Sequence, residues 1–433
     1  MSSLVPDGWK RCEIGKVSKL QGGYAFKSAD STDFGIRWLK IANVGKGKVN
    51  WQDRSYLPAD FIKFHPDFLL NKGDCVIALT RPITGGELKV ARINLSDTPS
   101  LLNQRVARVK PDKSLVNQDF IYSMFRYEEI TRKIEITIFG TDPPNVSTKQ
   151  IEEIKFNFPP LKEQQKIAQI LTSVDEVIEK TQAQIDKLKA LKTGMMQELL
   201  TKGIGHIEFK DSPVGRIPVG WEVETLKELT IQIRDGNYGA DYPKASEMLE
   251  SGIPFLTSTV VGNDQKINIG KLKYISSEKH ALLAKAHIKK DDVLFTNRGA
   301  SVGNVAIVPE ILDDSNIGPQ LTFLRVDPTK MSSLFLYIAL QSGYFKKQLK
   351  QLDSGSAMNF FGIGTTEKFI FALPSLSEQA KIAAVINAVF IKLDTLNIKL
   401  KQTSLIKKAL MQDLLTGTVR VNNEQSNATL AAD

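Results

Sequence analysis

The chain has 433 residues, 42% of them hydrophobic, and carries a formal net charge of +9. That is enough apolar content for two substantial cores, whereas two cysteines, Cys12 and Cys75, are too few for a disulfide framework, and no apolar run approaches the roughly 18–20 residues of a membrane-spanning helix. The composition predicts a soluble protein of the reducing cytoplasm, without membrane association, and its positive charge favours a polyanionic partner.

Residues 1–158 are short apolar runs such as DCVIALTRP and VARVKPD, broken by Gly, Asn, Asp and Pro, with one helical stretch, NQDFIYSMFRYEEITRKI, after Val116. This texture predicts a mixed domain of strands, loops and occasional helices. Residues 159–203 differ: Ile167, Leu171, Val174, Ile178, Thr181, Ile185 and Leu188 are spaced by alternating fours and threes, the seam of a coiled coil. Pro159 and Pro160 open this helix, and Gly203 and Gly205 close it. Residues 204–217, rich in glycine and polar side chains, read as a linker.

Strand texture returns over residues 218–373, in DVLFTNRG and LTFLRVDP, with a helical stretch beginning at Ser333. Residues 374–416 form a second long helix whose stripe is Ile382, Ile386, Val389, Leu393, Leu396 and Leu400. The tail, residues 417–433, contains NNEQSNATLAAD from Asn422 and has too little apolar content to fold.

The two halves are copies. LKEQQKIAQILTSVDEVIEK at Leu161 returns as LSEQAKIAAVINAVFIKLDT at Leu376, with Glu378 following Glu163 at a spacing of 215 (378 − 163). The match extends weakly upstream: VPDGW with Trp9 answers IPVGW with Trp221, Asp74 answers Asp291, Arg81 answers Arg298, Gln104 answers Gln320, and Gly140 answers Gly355. A period near half the chain excludes a short-repeat solenoid and predicts two copies of a domain plus helix. A helix of roughly 40 residues would be about 60 Å long, more than one globular core covers, so the two stripes are expected to pair with each other. The alternative is that each helix packs on its own domain. Phe390, where the first helix has Asp175, and Thr403 in the second seam predict inequivalent helix faces.

Catalytic patterns are scarce. His65, His206, His280 and His287 stand at no metal-ligand spacing from one another or from the cysteines, and read as surface or packing residues. No Walker loop, GxSxG elbow or HExxH is present. Asp142, Pro143, Pro144 and Asn145 resemble the DPPY signature of DNA amino-methyltransferases, but Asn145 replaces the aromatic that stacks on a flipped base, and no glycine-rich strand–loop–helix unit precedes it. The second half has SAMNFF at the corresponding place. The string is therefore read as a loop whose backbone is set by its prolines.

Two divergent domains, each followed by a helix that opens with PPLKEQQKIA or LPSLSEQAKIA and ends in MMQELLTKG or LMQDLLTGT, resemble the specificity subunit of type I restriction–modification systems over nearly the whole chain. The resemblance implies an α+β protein with two similar target-recognition domains in pseudo-twofold arrangement and long helices paired as an antiparallel coiled coil. It further implies a non-catalytic subunit with no cofactor of its own. Each domain would read one half of a bipartite site in double-stranded DNA, with the helix pair setting the spacer. The implied partners are two modification subunits, which bind S-adenosylmethionine and methylate adenine, and separate restriction/translocase subunits.

Base-reading residues are sought in polar, glycine-rich or strand-end segments, where side chains can reach base edges and phosphates. In the first domain these are Tyr24, Lys27, Arg37, Lys40, Arg81, Thr84 and Arg105; in the second, Arg234, Asn237, Tyr238, Lys244, Asn297, Arg298 and Asn359. Asn297 and Arg298, beside the glycines of FTNRGASVG, combine the adenine-matching amide with the guanine-matching guanidinium. The aligned Arg81 and Arg298 suggest a shared phosphate clamp. Two rival readings are a self-sufficient DNA adenine methyltransferase working through Asp142–Asn145, and a coiled-coil scaffold that binds proteins.

Overall fold

The computed structural model describes residues 5–140, 142–352 and 360–421. Gly355, Asn359 and the tail from Asn422 lie outside the described residues. The chain divides into two compact units, residues 1–182 with 398–433, and residues 183–397.

In the first unit a five-stranded sheet runs in the order Ser18–Gly22, Val106–Pro111, Cys75–Ala78, Val90–Arg92, Gly47–Lys48. A four-stranded sheet has the order Tyr56–Leu57, Ile36–Leu39, Ser100–Leu102, Leu69–Leu70. Cys75–Ala78 is paired on both sides and every residue is buried, which is why its sequence is an uninterrupted apolar run. Lys10–Glu13 pairs antiparallel with Lys155–Phe158 and joins the start of the domain to its end. The helical stretch after Val116 is two helices, Gln118–Phe125 and Glu128–Ile138, because Tyr127 between them is extended. The Asn117 side chain caps the first by accepting from the Asp119 and Phe120 amides.

The second unit repeats this topology, except that no strand among the described residues takes the edge place of Gly47–Lys48. Its sheets run Thr230–Asp235, Leu321–Val326, Val293–Thr296, Val305–Ile307, and Lys273–Ile275, Ile253–Leu256, Ser315–Ile317, His287–Ile288. Glu222–Thr225 pairs with Ile370–Leu373 as Lys10–Glu13 does with Lys155–Phe158. Residues 204–217 are structured: Phe209–Lys210 pairs with Ile217–Pro218.

The long helices are Leu161–Lys202 and Leu376–Thr416, and each contributes to both units. In the first unit Asp175 pairs with Lys407 and Glu163 with Arg420; in the second, Lys192 meets Phe390 and His206 meets Glu378. Residue numbers rise along one helix as they fall along the other, so the pairing is antiparallel. Each helix also does what the alternative reading expected of it. Ile167, Ala168 and Leu171 sit in the core of the first domain, where Met411, Leu414 and Leu415 from the end of the second helix join them. Ile382, Ala383 and Ile386 sit in the second core with Met196 and Leu200. Of the seam residues, Ile167, Leu171, Thr181, Ile185, Ile382, Ile386, Leu393 and Leu396 are buried, while Val174, Ile178, Leu188, Val389 and Leu400 are partly exposed.

The repeated helix openings have a structural cause. Glu163 accepts the Trp9 indole N–H, and Glu378 accepts that of Trp221. Gln164 donates to the Pro159 and Leu115 carbonyls and accepts from the Asn117 amide; Gln379 donates to Pro374 and Lys330 and accepts from Ser332. Glu-Gln thus ties each helix to the tryptophan and the capped helix of its own domain. Gly203 and Gly417 end the helices at φ +64 and +75, and a Cβ on Gly203 would meet the Trp221 ring at 2.6 Å.

Inequivalent helix faces are also explained. Asp175 accepts from Arg126 at 2.7 Å and from Lys407 at 2.5 Å. At the corresponding place in the second unit, the Lys192 ammonium stands 4.0 Å from the centre of the Phe390 ring and Tyr337 packs edge-on against it. An ion pair in one copy is a cation–π contact in the other.

Candidate nucleic-acid interface

In each domain the ends of the central strands meet one incoming loop through a matching set of backbone hydrogen bonds. In the first, the Leu79 amide donates to Arg105, the Val146 amide donates to Leu79, and Thr80 bridges Asn145. In the second, the Asn297 amide donates to Gln320, the Phe361 amide donates to Asn297, and Arg298 bridges Phe360. One scaffold therefore presents two different sets of side chains: Arg81, Arg105 and Asn145 on one lip, above the buried Thr80, and Arg298, Gln320 and Phe360 on the other.

These bonds correct the alignment of Arg81 with Arg298. By hydrogen-bond position Arg298 matches Thr80, and Arg81 matches Gly299. The backbone agrees, since Arg81 has φ +46 and Gly299 φ +89, both left-handed. The slip is one residue, so Arg81 and Arg298 occupy different backbone positions, one left-handed and one bridged to the incoming loop, and the shared clamp loses its basis. The same slip makes Asp292, not Asp291, the carboxylate that binds Arg325 as Asp74 binds Arg108.

On the first lip Arg81 and Arg105 are exposed, and Tyr24, whose carbonyl accepts from the Gln104 amide, is held by ring contacts to His65 at 4.2 Å and Phe26 at 4.9 Å. Lys27 is exposed. Thr84 lies on the Ile83–Thr84/Glu87–Leu88 hairpin, whose turn is Gly85-Gly86 at φ +55 and +75, a turn that glycine makes without strain. Arg37 and Lys40 are engaged within the domain. Arg37 donates to the Ser96 and Thr98 carbonyls, and Lys40 donates to Ser55 with its ammonium over Trp38. Burial holds the Lys40 ammonium below its ordinary pKa.

On the second lip the Arg298 guanidinium lies 4.2 Å from the centre of the exposed Phe360 ring and 5.6 Å from that of Tyr238, whose hydroxyl donates to the Pro319 carbonyl. Burial raises the Tyr238 phenol pKa, with the Asp235 carboxylate adding to it. Arg234 and Lys244 are exposed, while Asn237 is half-buried with its Oδ1 unpartnered among the described residues. Phe360 was not foreseen; the paired phenylalanines of SAMNFF were the available signal, and Asn359 beside them lies outside the described residues.

Asn297 is corrected. Its side chain is fully buried and donates to Asp235 at 3.1 Å and Thr322 at 2.9 Å, while Thr322 donates to the same Asp235 oxygen at 2.6 Å. Burial raises the Asp235 pKa against the lowering effect of those bonds. Asn297 therefore supports the lip from beneath and is not the exposed amide that its neighbouring glycines suggested. In residues 142–145 the Asn145 amide donates to the Pro143 carbonyl of its own loop.

No helix among the described residues is long and apolar enough to cross a membrane. The family model for the type I restriction modification DNA specificity domain matches residues 6–190 and again 218–403. The MjaVIII type I restriction enzyme specificity subunit of Methanocaldococcus jannaschii is 33% identical over 207 residues, and this match spans 48% of each chain. The putative MjaX specificity subunit of the same organism is 30% identical over 72% of this chain and 71% of its own. The Escherichia coli EcoBI specificity subunit is 23% identical over 96% of this chain and 86% of its own. Among solved structures, the type I restriction–modification system S subunit from M. genitalium superposes with a TM-score of 0.62 at 17% identity, covering 96% of this chain and 98% of that one. The chain belongs to the type I restriction–modification DNA specificity family and carries two copies of its defining domain.

Proposed function

We propose that this chain is the non-catalytic DNA-reading subunit of a type I restriction–modification complex, each domain reading one half of a bipartite site. The observation that carries the reading is the pair of lips: matching backbone scaffolds, different side chains. A scaffold reused with altered surface chemistry suits the reading of two unlike base sequences. Arg81, Arg105 and Tyr24 would engage the first half-site; Arg298, flanked by Phe360 and Tyr238, would engage the second. Other exposed lysines and arginines would supply salt-dependent phosphate contacts. The continuous helices, 42 and 41 residues long, would set the gap between half-sites. Two modification subunits, carrying S-adenosylmethionine, would methylate adenines turned out of the duplex, and restriction/translocase subunits would complete the assembly.

The test is to purify the chain with its modification subunits and map methylated adenines. One bipartite motif with a fixed gap is expected, and exchange of residues 5–158 for another recognition domain should alter one half-site alone. Methylation scattered without a motif would overturn the reading, and methylation by this chain alone would restore the methyltransferase alternative.

A further inference from the structure

His280 and His287, which sequence spacing set apart as unrelated, stack in the second unit with ring centres 3.9 Å apart and planes 8° from parallel. His280 lies in the helix Ser277–Leu282, and His287 opens the strand His287–Ile288. That strand pairs with Ser315–Ile317, and the Asp314 amide donates to the Ile288 carbonyl at 2.9 Å, placing Asp314 beside both rings. His280 Nε2 stands 3.5 Å from one Asp314 oxygen and His287 Nδ1 3.4 Å from the other.

The outer nitrogens fix the tautomers. His287 Nε2 faces the His280 carbonyl at 2.9 Å; a carbonyl only accepts, so this nitrogen carries the proton. His280 Nδ1 faces Asn316 Oδ1 at 2.5 Å, and the Asn316 amide nitrogen donates to Leu283, so the amide oxygen is the acceptor and Nδ1 carries the proton. In the neutral rings the lone pairs are therefore on His280 Nε2 and His287 Nδ1, the two atoms beside the carboxylate. Three acceptors, all within 4.8 Å of one another, converge with no donor among them. Metal-binding imidazoles are oriented in this way, by giving their other N–H to a carbonyl or carboxylate.

We propose that His280, His287 and Asp314 form a binding site for a divalent d-block cation of the zinc type, a site independent of the DNA-reading role. Two imidazoles and a carboxylate suit Zn²⁺ with one position left for water, and the Asp314 side chain, 70% exposed against 14% for His280, is the open side. A ligating imidazole keeps the ion in its ring plane, so binding tilts the stacked rings apart to reach metal–nitrogen distances of about 2.0–2.1 Å. The ion would tie the helix Ser277–Leu282 to the edge of its sheet. In the first unit Leu69–Leu70 takes the edge position of His287–Ile288, so the site belongs to one copy alone.

The experiment uses the untagged full chain freed of metal by chelation and titrated with Co²⁺, whose visible absorption reports nitrogen–oxygen ligation, followed by displacement with Zn²⁺. One equivalent is expected, together with a rise in the thermal midpoint. His287→Gln and Asp314→Asn should each weaken binding by about tenfold or more, whereas His65→Gln and His206→Gln should leave it unchanged. Asp314 is largely exposed, so Asp314→Asn keeps the test valid if the histidine variants fail to fold. Absence of stoichiometric Co²⁺ and Zn²⁺ binding, binding that survives both His287→Gln and Asp314→Asn, or stabilisation by acidification alone would each overturn the proposal.

Discussion

The Trp9 indole donates to Glu163 at 3.1 Å across 154 residues, and Trp221 repeats the bond to Glu378 at 3.0 Å across 157. The second partner of each carboxylate comes from beyond the end of the opposite long helix: Arg420 for Glu163, and His206 with the Ile204 amide for Glu378. Domain opening, helix start and the other helix's end therefore meet at one side chain. Glu163→Ala strands both the indole N–H and the guanidinium, and should destabilise the first unit by about 2–3 kcal/mol. Hydrogen exchange should register this as lost protection around residues 9–14 and 411–415, with the second unit unchanged; uniform loss across both units would refute a local role.

The Asp175 cluster can be converted into its counterpart. Asp175→Phe leaves Arg126 and Lys407 without their carboxylate and should cost about 3 kcal/mol, the lower end for a stranded, mostly buried charge. Adding Arg126→Gln, which copies Gln341 beside Phe390, should recover part of that cost, because Lys407 can then sit over the new ring as Lys192 does. A denaturation double-mutant cycle measures the coupling, and strict additivity would contradict it.

Neighbouring residues on the second lip should separate stability from binding. Asn297→Ala removes a donor from a buried network and should cost about 1–3 kcal/mol of stability. Arg298→Ala, at the surface between two rings, should change stability by less than about 0.5 kcal/mol yet weaken DNA binding by about 1–3 kcal/mol. Fluorescence anisotropy with the assembled complex and its motif-bearing duplex, set beside thermal melts, checks both; unchanged affinity in the arginine variant would remove Arg298 from the interface.

Alkaline titration should expose three phenols. Burial pushes Tyr122 and Tyr337 up to about 12 and raises Tyr344 as well. In the unfolded chain a tyrosine loses its proton near 10, so the folded state binds more protons between about 10 and 12. The stability from these groups is complete below about pH 10 and is lost as pH rises through the folded values. Absorbance at the phenolate band should therefore show late, cooperative ionisation of these three among the nine tyrosines; removal of Tyr337 by Tyr337→Phe should reduce the late step.

The sequence by itself determined the duplication, the two long helices and the mixed texture of each domain. Spacings of three and four, the Pro and Gly boundaries and the recurring Glu-Gln are local signals, legible wherever burial is periodic. What only tertiary structure decided was where isolated polar residues ended up. Asn297 looked exposed among glycines, yet it follows the buried strand Val293–Thr296 and lies under the Phe361 amide. Arg81 and Arg298 aligned by letter but differ by one backbone position, and no composition signal registers a one-residue slip. His280, His287 and Asp314 became neighbours through the pairing of His287–Ile288 with Ser315–Ile317. The physical reason is common to all three: periodicity encodes which face is buried, whereas the surroundings of one side chain depend on strand register and on segments distant in sequence.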